Sequence, residues 1–143
     1  MRLTDEQYDY IFSKIPRLCI DIVIKTKDGV LMSKRLIPPY KGVWHLPGGR
    51  VLFREPIDKA ILPIAKNEIG VAVTKSKFLG VSEFTDERKG KLKLHSVALT
   101  FLVQYSGEIK GSYQGRDFKY FKAAPNKNIP GQVKTLKTIK YLS

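Results

Sequence analysis

A chain of 143 residues, 43% of them hydrophobic, is long enough for one packed core and too apolar for disorder. Its formal net charge of +13 favours anionic ligands; the lysines are dispersed along the sequence, which points to a small anion rather than nucleic acid. No apolar run reaches bilayer length and the N-terminus lacks a secretory apolar core, while the single cysteine, Cys19, rules out an internal disulfide and a cysteine zinc cluster, so a cytoplasmic protein is expected.

Thr4 and Gln7 have the spacing of a capping box and predict a helix over residues 1–15, with Tyr8, Ile11 and Phe12 on one face and Pro16 as its stop. Arg17–Thr26 reads as a buried strand rich in β-branched residues. Lys27-Asp28-Gly29 is a hairpin turn, because Asp-Gly accepts positive φ at low cost, and "VLMSKRL" returns as the partner strand. A proline-rigid loop "IPPYKG" follows, then a short strand "VWHLP" that leads to Gly48-Gly49. Pro56 suits the first turn of a helix over 54–70, in which Ile57, Ala60, Ile61, Ile64, Ala65 and Ile69 share a face and Gly70 ends the run. Strands are expected at "KFLGVSEF", "KLKLHSVALTFLVQY" and "RDFKYF", with Thr85–Gly90 as a mobile hairpin tip. Val133, Leu136 and Ile139 form the apolar stripe of a closing helix over 131–142. There are no repeats and no linker, so residues 1–143 read as a single α/β domain with a mixed sheet between helices.

The chemistry sits in "LPGGRVLFREPIDKAILPIAKNEIGV", Leu46 to Val71. A tight glycine turn can aim a backbone carbonyl at a divalent cation, and a helix starting just after it can send carboxylates to the same point from positions one turn apart. Gly49, Glu55, Glu68, Gly70 and Val71 stand at the spacings of the Nudix box, Gly-x5-Glu-x7-Arg-Glu-U-x-Glu-Glu-x-Gly-U, where U is bulky and apolar. The chain therefore resembles the Nudix hydrolases, which implies an α/β/α sandwich. Three box positions depart from the pattern: Pro63 replaces the arginine, Ile64 the first glutamate and Asn67 the middle one. A proline in mid-helix costs about 3 kcal/mol or more unless its surroundings absorb it, so a kink is expected at Pro63.

Within the family the sequence is most similar to the GDP-mannose mannosyl hydrolase subfamily, which also replaces the first and middle glutamates. The likeness extends to the N-terminal helix, Asp21, "SKRL", "GVWHLPGGRV" and "YQGRDFKYF". It implies magnesium, with manganese as the alternative, held by the Gly49 carbonyl, Glu68 and Gln114. It also implies Arg35 and Arg50 beside a diphosphate leaving group, Asp21 in a sugar pocket, and a homodimer formed partly through the N-terminal region. In that subfamily water attacks the anomeric carbon and a nucleoside diphosphate departs, with a histidine after the metal-binding glutamine as base. Gly115 stands there in this chain.

Each residue also has a plainer reading. Glu68 is otherwise a surface helix acid, and Glu55 a helix-start acid with a structural role. Asp21 is otherwise the partner of Arg35 in a salt bridge. His95 is either ordinary strand structure or a substitute base, and His45 a wall of the pocket. The expected function is magnesium-dependent hydrolysis of a nucleotide sugar, with no membrane and no nucleic-acid partner; the alternative is a catalytically impaired binding module for nucleotides or nucleotide sugars.

Overall fold

The computed structural model describes residues 2–36, 40–110 and 115–143. Helix α1 (Asp5–Phe12) begins at the predicted capping box: the Gln7 amide donates to Thr4 Oγ1 and the Thr4 amide to Gln7 Oε1. The predicted strand over 17–26 is two strands, β1 (Arg17–Val23) and β2 (Lys25–Thr26), with buried Ile24 between them. They are followed by β3 (Gly29–Arg35), β4 (Trp44–His45), β5 (Gly48–Arg50), α2 (Ile57–Ile69), β6 (Ala72–Lys89), β7 (Leu92–Ser106), β8 (Gly115–Phe121) and α3 (Pro130–Thr138).

The strands divide into two four-stranded sheets. The first has the order β5-β1-β7-β6 and is mixed, because β1 runs parallel to β7 and antiparallel to β5. The second joins β2, β3 and β4, with β8 on the other side of β3, and its pairings are antiparallel. Alternation along β1 sorts its side chains. Ile20 and Ile22 pack with Ala60, Ile61, Ile64, Ala65 and Ile69 of α2. Val23 packs on the other side with Val30, Met32, Leu46 and, from α3, Val133 and Leu136.

Two expectations, a mobile tip at Thr85–Gly90 and a glycine turn at Gly48-Gly49, are corrected. Thr85–Gly90 is not a loose tip: β6 continues to Lys89, and the hairpin turns at Gly90, φ +61°. An irregularity in the β6–β7 pairing lies between Phe84 and Glu87, where Phe84 pairs with Ser96 but Glu87 pairs with Leu94. The glycine segment Gly48–Arg50 is itself a short strand on β1. Helix α2 runs unbroken from Ile57 to Ile69 across Pro63, which is exposed, and closes on Gly70 in the left-handed conformation at φ 72°. No helix among the described residues is long and apolar enough to cross a membrane.

Candidate active site

One cavity of about 680 Å³ opens on the face of the mixed sheet that carries Arg17, Cys19 and Asp21. Arg35, Gly48, Gly49, Arg50 and Glu68 also line it. Four elements thus bring together five of the residues proposed from sequence: Asp21 from β1, Arg35 from the end of β3, Gly49 and Arg50 from β5, and Glu68 from α2. Gln114 lies outside the described residues. His95 is not brought to the site. Its neighbours Leu94 and Ser96 face the cavity, so strand alternation turns His95 to the opposite side of β7.

Local packing explains the glycines and the altered box. The register sets Asp21 opposite Gly48, where a Cβ would fall 2.7 Å from Asp21 Oδ1 and 2.5 Å from the Ile20 carbonyl oxygen. Only glycine lets β5 approach a strand carrying that carboxyl. At Gly49 a Cβ would meet Ile64 Cγ1 at 3.1 Å, and Ile64 belongs to the buried core. The position of the first box glutamate has therefore become a packing position, while Asn67 is exposed. Glu55 does not line the cavity; its Oε1 accepts from the Leu52 amide at 3.0 Å, which closes the loop ahead of α2.

Asp21 is 6% exposed, and burial pushes its carboxyl up to about 7, against the opposing effect of a hydrogen bond from Gln132. The predicted Asp21–Arg35 ion pair is not among the ion pairs between described residues. Instead Gln132 Nε2 donates to Asp21 Oδ2 at 3.2 Å, and Gln132 Oε1 accepts from the Leu46 amide at 2.9 Å. His45 lines the cavity; burial lowers its pKa, which favours the neutral ring, and Nδ1 donates to the Leu46 carbonyl at 2.8 Å. Burial raises the Cys19 thiol to about 11, which fits an inert wall and not a nucleophile.

The sequence reading missed a second polar group in the cavity. Arg17 Nε donates to Ser96 Oγ at 2.9 Å, Nη1 to the Tyr8 hydroxyl, and Nη2 to Glu87 Oε1 at 2.9 Å. Burial and the neighbouring Glu87 carboxylate push the Tyr40 hydroxyl up. The Arg50 guanidinium lies 5.2 Å from the Phe12 ring centroid and 5.9 Å from that of Tyr8, so α1 forms a wall of the site. The period-2 alternation of Arg17 with Cys19 and Asp21 was a signal for Arg17. Gln132 had none, because its partners Leu46 and Asp21 are 86 and 111 residues away in sequence.

Among the described residues no three His, Cys, Asp or Glu side chains converge as a metal cage. The donors present are one box carboxylate, Glu68, and the Gly49 backbone. That set fits a hard cation that takes most of its oxygens from substrate and water.

Fold and cavity define an α/β protein in which a glycine strand and a glutamate-bearing helix face an arginine-lined pocket. The NUDIX domain family matches residues 15–134, and the chain belongs to that family. It is 33% identical over 105 residues to the low-salt glycan biosynthesis protein Agl8 of Haloferax volcanii, across 71% of this chain and 67% of that protein. It is 28% identical over 108 residues to an ADP-ribose pyrophosphatase of Methanocaldococcus jannaschii, across 74% of this chain and 62% of that protein, so it spans less than two thirds of the latter. A MutT NUDIX hydrolase structure from Burkholderia pseudomallei superposes with a TM-score of 0.75 at 25% identity, covering 87% of this chain and 98% of that one.

Proposed function

We propose that the protein hydrolyses a nucleoside diphosphate sugar, GDP-mannose-like in its chemistry, releasing nucleoside diphosphate and free sugar by attack of water at the anomeric carbon. The observation that carries this reading is the convergence of Arg35, Arg50, Gly49, Glu68 and Asp21 on one cavity of substrate size. Arg35 and Arg50 offset charge on the diphosphate, arginine being suited to bidentate phosphate contacts. Glu68 and the Gly49 carbonyl, with Gln114, would hold magnesium or manganese, which supplies further charge neutralisation on the leaving group. Two shielded acids besides Glu68 line the cavity and are available to take the proton of the attacking water. These are Asp21, and Glu87 with its side chain 13% exposed. His95, on the opposite face of β7, is withdrawn from that role.

The relatives are compatible with this substrate class: ADP-ribose, in the name of one of them, is itself a nucleoside diphosphate bearing a sugar. The C–O route is preferred over phosphorus–oxygen cleavage because it treats the diphosphate only as a leaving group. It does not call on acids at positions 64 and 67, where an isoleucine is buried and an asparagine exposed. We also infer a homodimer that uses the N-terminal region, where Tyr10, Ile15 and Leu18 are exposed apolar side chains; sedimentation at micromolar concentration tests it.

Hydrolysis of a panel of nucleotide sugars in heavy-oxygen water, with magnesium, tests the reaction. Label in the free sugar is expected; label in a phosphate overturns the C–O route. The loss of two box carboxylates favours a second reading, a binding module, and measurable nucleotide-sugar binding with no turnover would establish it.

A further inference from the structure

A second depression, of about 530 Å³, shares no lining residue with the candidate active site. It is walled by β2 and the β2–β3 turn, the residue after β8, Lys137 of α3 and residues 140–143 beyond it. Lys25, Lys27, Lys122, Lys137 and Lys140 line it, and among the described residues no aspartate or glutamate side chain does. None of these five lysines takes part in an ion pair among the described residues. Lys25 Nζ lies 5.3 Å from the centroid of the Tyr141 ring. Lys140 sits at φ 64°, a backbone region that side-chain-bearing residues seldom adopt, at the point where the chain turns back after α3.

We propose that this groove is a binding site for a compact oligophosphate anion, distinct from the nucleotide-sugar cavity. Like charges gathered round one depression repel one another and raise the local potential until an anion settles there. The helix dipole favours lysines at the C-terminal end of α3 and so accounts for Lys137 and Lys140. It does not account for Lys25, Lys27 and Lys122, which arrive from β2, from the β2–β3 turn and from the residue after β8. The cation type also differs between the two sites. The active-site cavity is lined by Arg2, Arg17, Arg35, Arg50, Arg88 and one lysine, whereas the groove has lysine alone. Arginine forks suit oriented phosphates, while mobile ammonium groups suit a dense charge with no fixed orientation. The size of the groove is that of a small-molecule site. Tyr141 is partly buried against the core and bears Lys25 on its ring, so it offers no open platform for stacking nucleic-acid bases.

Calorimetric titration of inorganic tripolyphosphate tests the site in the full chain. Three proteins are compared: wild type, the double variant Lys27→Glu/Lys140→Glu, and Arg50→Ala, which alters only the active-site cavity. The double variant is expected to lose about tenfold or more in affinity while melting as a folded protein, and Arg50→Ala to keep the groove's binding. Orthophosphate is expected to bind much more weakly than tripolyphosphate. Wild-type affinity in the double variant, loss confined to Arg50→Ala, or equal affinity for orthophosphate would each overturn the proposal. So would tighter binding of a single-stranded RNA dodecamer that the double variant abolishes, since that would make the groove a nucleic-acid surface.

Discussion

Two glutamates of one motif do different work because one faces the cavity and the other closes a loop. Glu68 lines the cavity, so Glu68→Gln is expected to lower turnover on the order of 10²-fold with little change in melting, since the one charged protein ligand proposed for the metal is lost. Glu55 accepts the Leu52 amide, so Glu55→Gln is expected to cost roughly 0.5–1.5 kcal/mol of stability and leave turnover nearly intact. Parallel kinetics and urea denaturation of the pair decide this, and identical behaviour would refute the division. Asp21 gives a pH signature. Its carboxyl is raised from 3.8 to about 7 by burial, so the folded state holds that proton more tightly than the unfolded chain does. The penalty for burying the charge is absent below pH 3.8, grows as pH rises through that window, and is complete above about 7. Asp21→Asn keeps an acceptor for Gln132 and removes the charge. Its melting midpoint relative to wild type is therefore expected to be higher at pH 8 than at pH 5, at about 2–4 °C per kcal/mol for a chain of this size. A midpoint difference that stays constant between the two pH values would contradict a buried, proton-holding Asp21.

At the level of elements, helix α1 and the β6–β7 hairpin are tied together over the cavity. Lys89 Nζ pairs with Asp9 at 3.0 Å on the exposed side, and Arg17 bridges Tyr8, Ser96 and Glu87 beneath it. The exposed pair contributes little, while the shielded one is costly to break from one side only. Arg17→Met is expected to destabilise the fold by about 3 kcal/mol, because Glu87 is left shielded without its cation. Adding Glu87→Leu should recover a large part of that loss, and urea unfolding of the two single variants and the double variant measures it. Additive losses would show that the two side chains do not act as a pair. This cluster was not legible in the sequence. The irregular pairing between Phe84 and Glu87 changes which residues of β6 face the cavity, and nothing in "TDERKG" announces it. The helices were legible because a capping box at Thr4, a glycine at position 70 and a 3.6-residue apolar period are local signals.

The whole molecule carries +13, and its cavity offers arginines but few carboxylates for a metal. Magnesium is therefore expected to bind the free protein weakly and to bind well only together with a nucleoside diphosphate, which brings the missing oxygens. Isothermal calorimetry with and without the nucleotide checks this, and tight magnesium binding to the free protein would rule out a set with so few anionic ligands. Binding of the nucleotide itself should weaken as salt is raised, in keeping with long-range attraction by a basic protein.

By itself the sequence determined the family-bearing segment, the three helices and most of the strands among the described residues, and a few of the residues that line the cavity. Gly49 and Glu68 could be singled out by spacing along one segment and Asp21 as a charge inside an apolar strand, both local properties, while Arg35 and Arg50 were marked only by the resemblance to the GDP-mannose mannosyl hydrolase subfamily. Tertiary structure decided which of the polar side chains face one another. It set Asp21 against Gly48 and Gln132, made Ile64 a packing residue under Gly49, and turned His95 away while Arg17 and Glu87 turned inward. Those outcomes depend on strand register, on the face each residue takes, and on contacts between segments as much as 111 residues apart, and no periodicity within a single element encodes them.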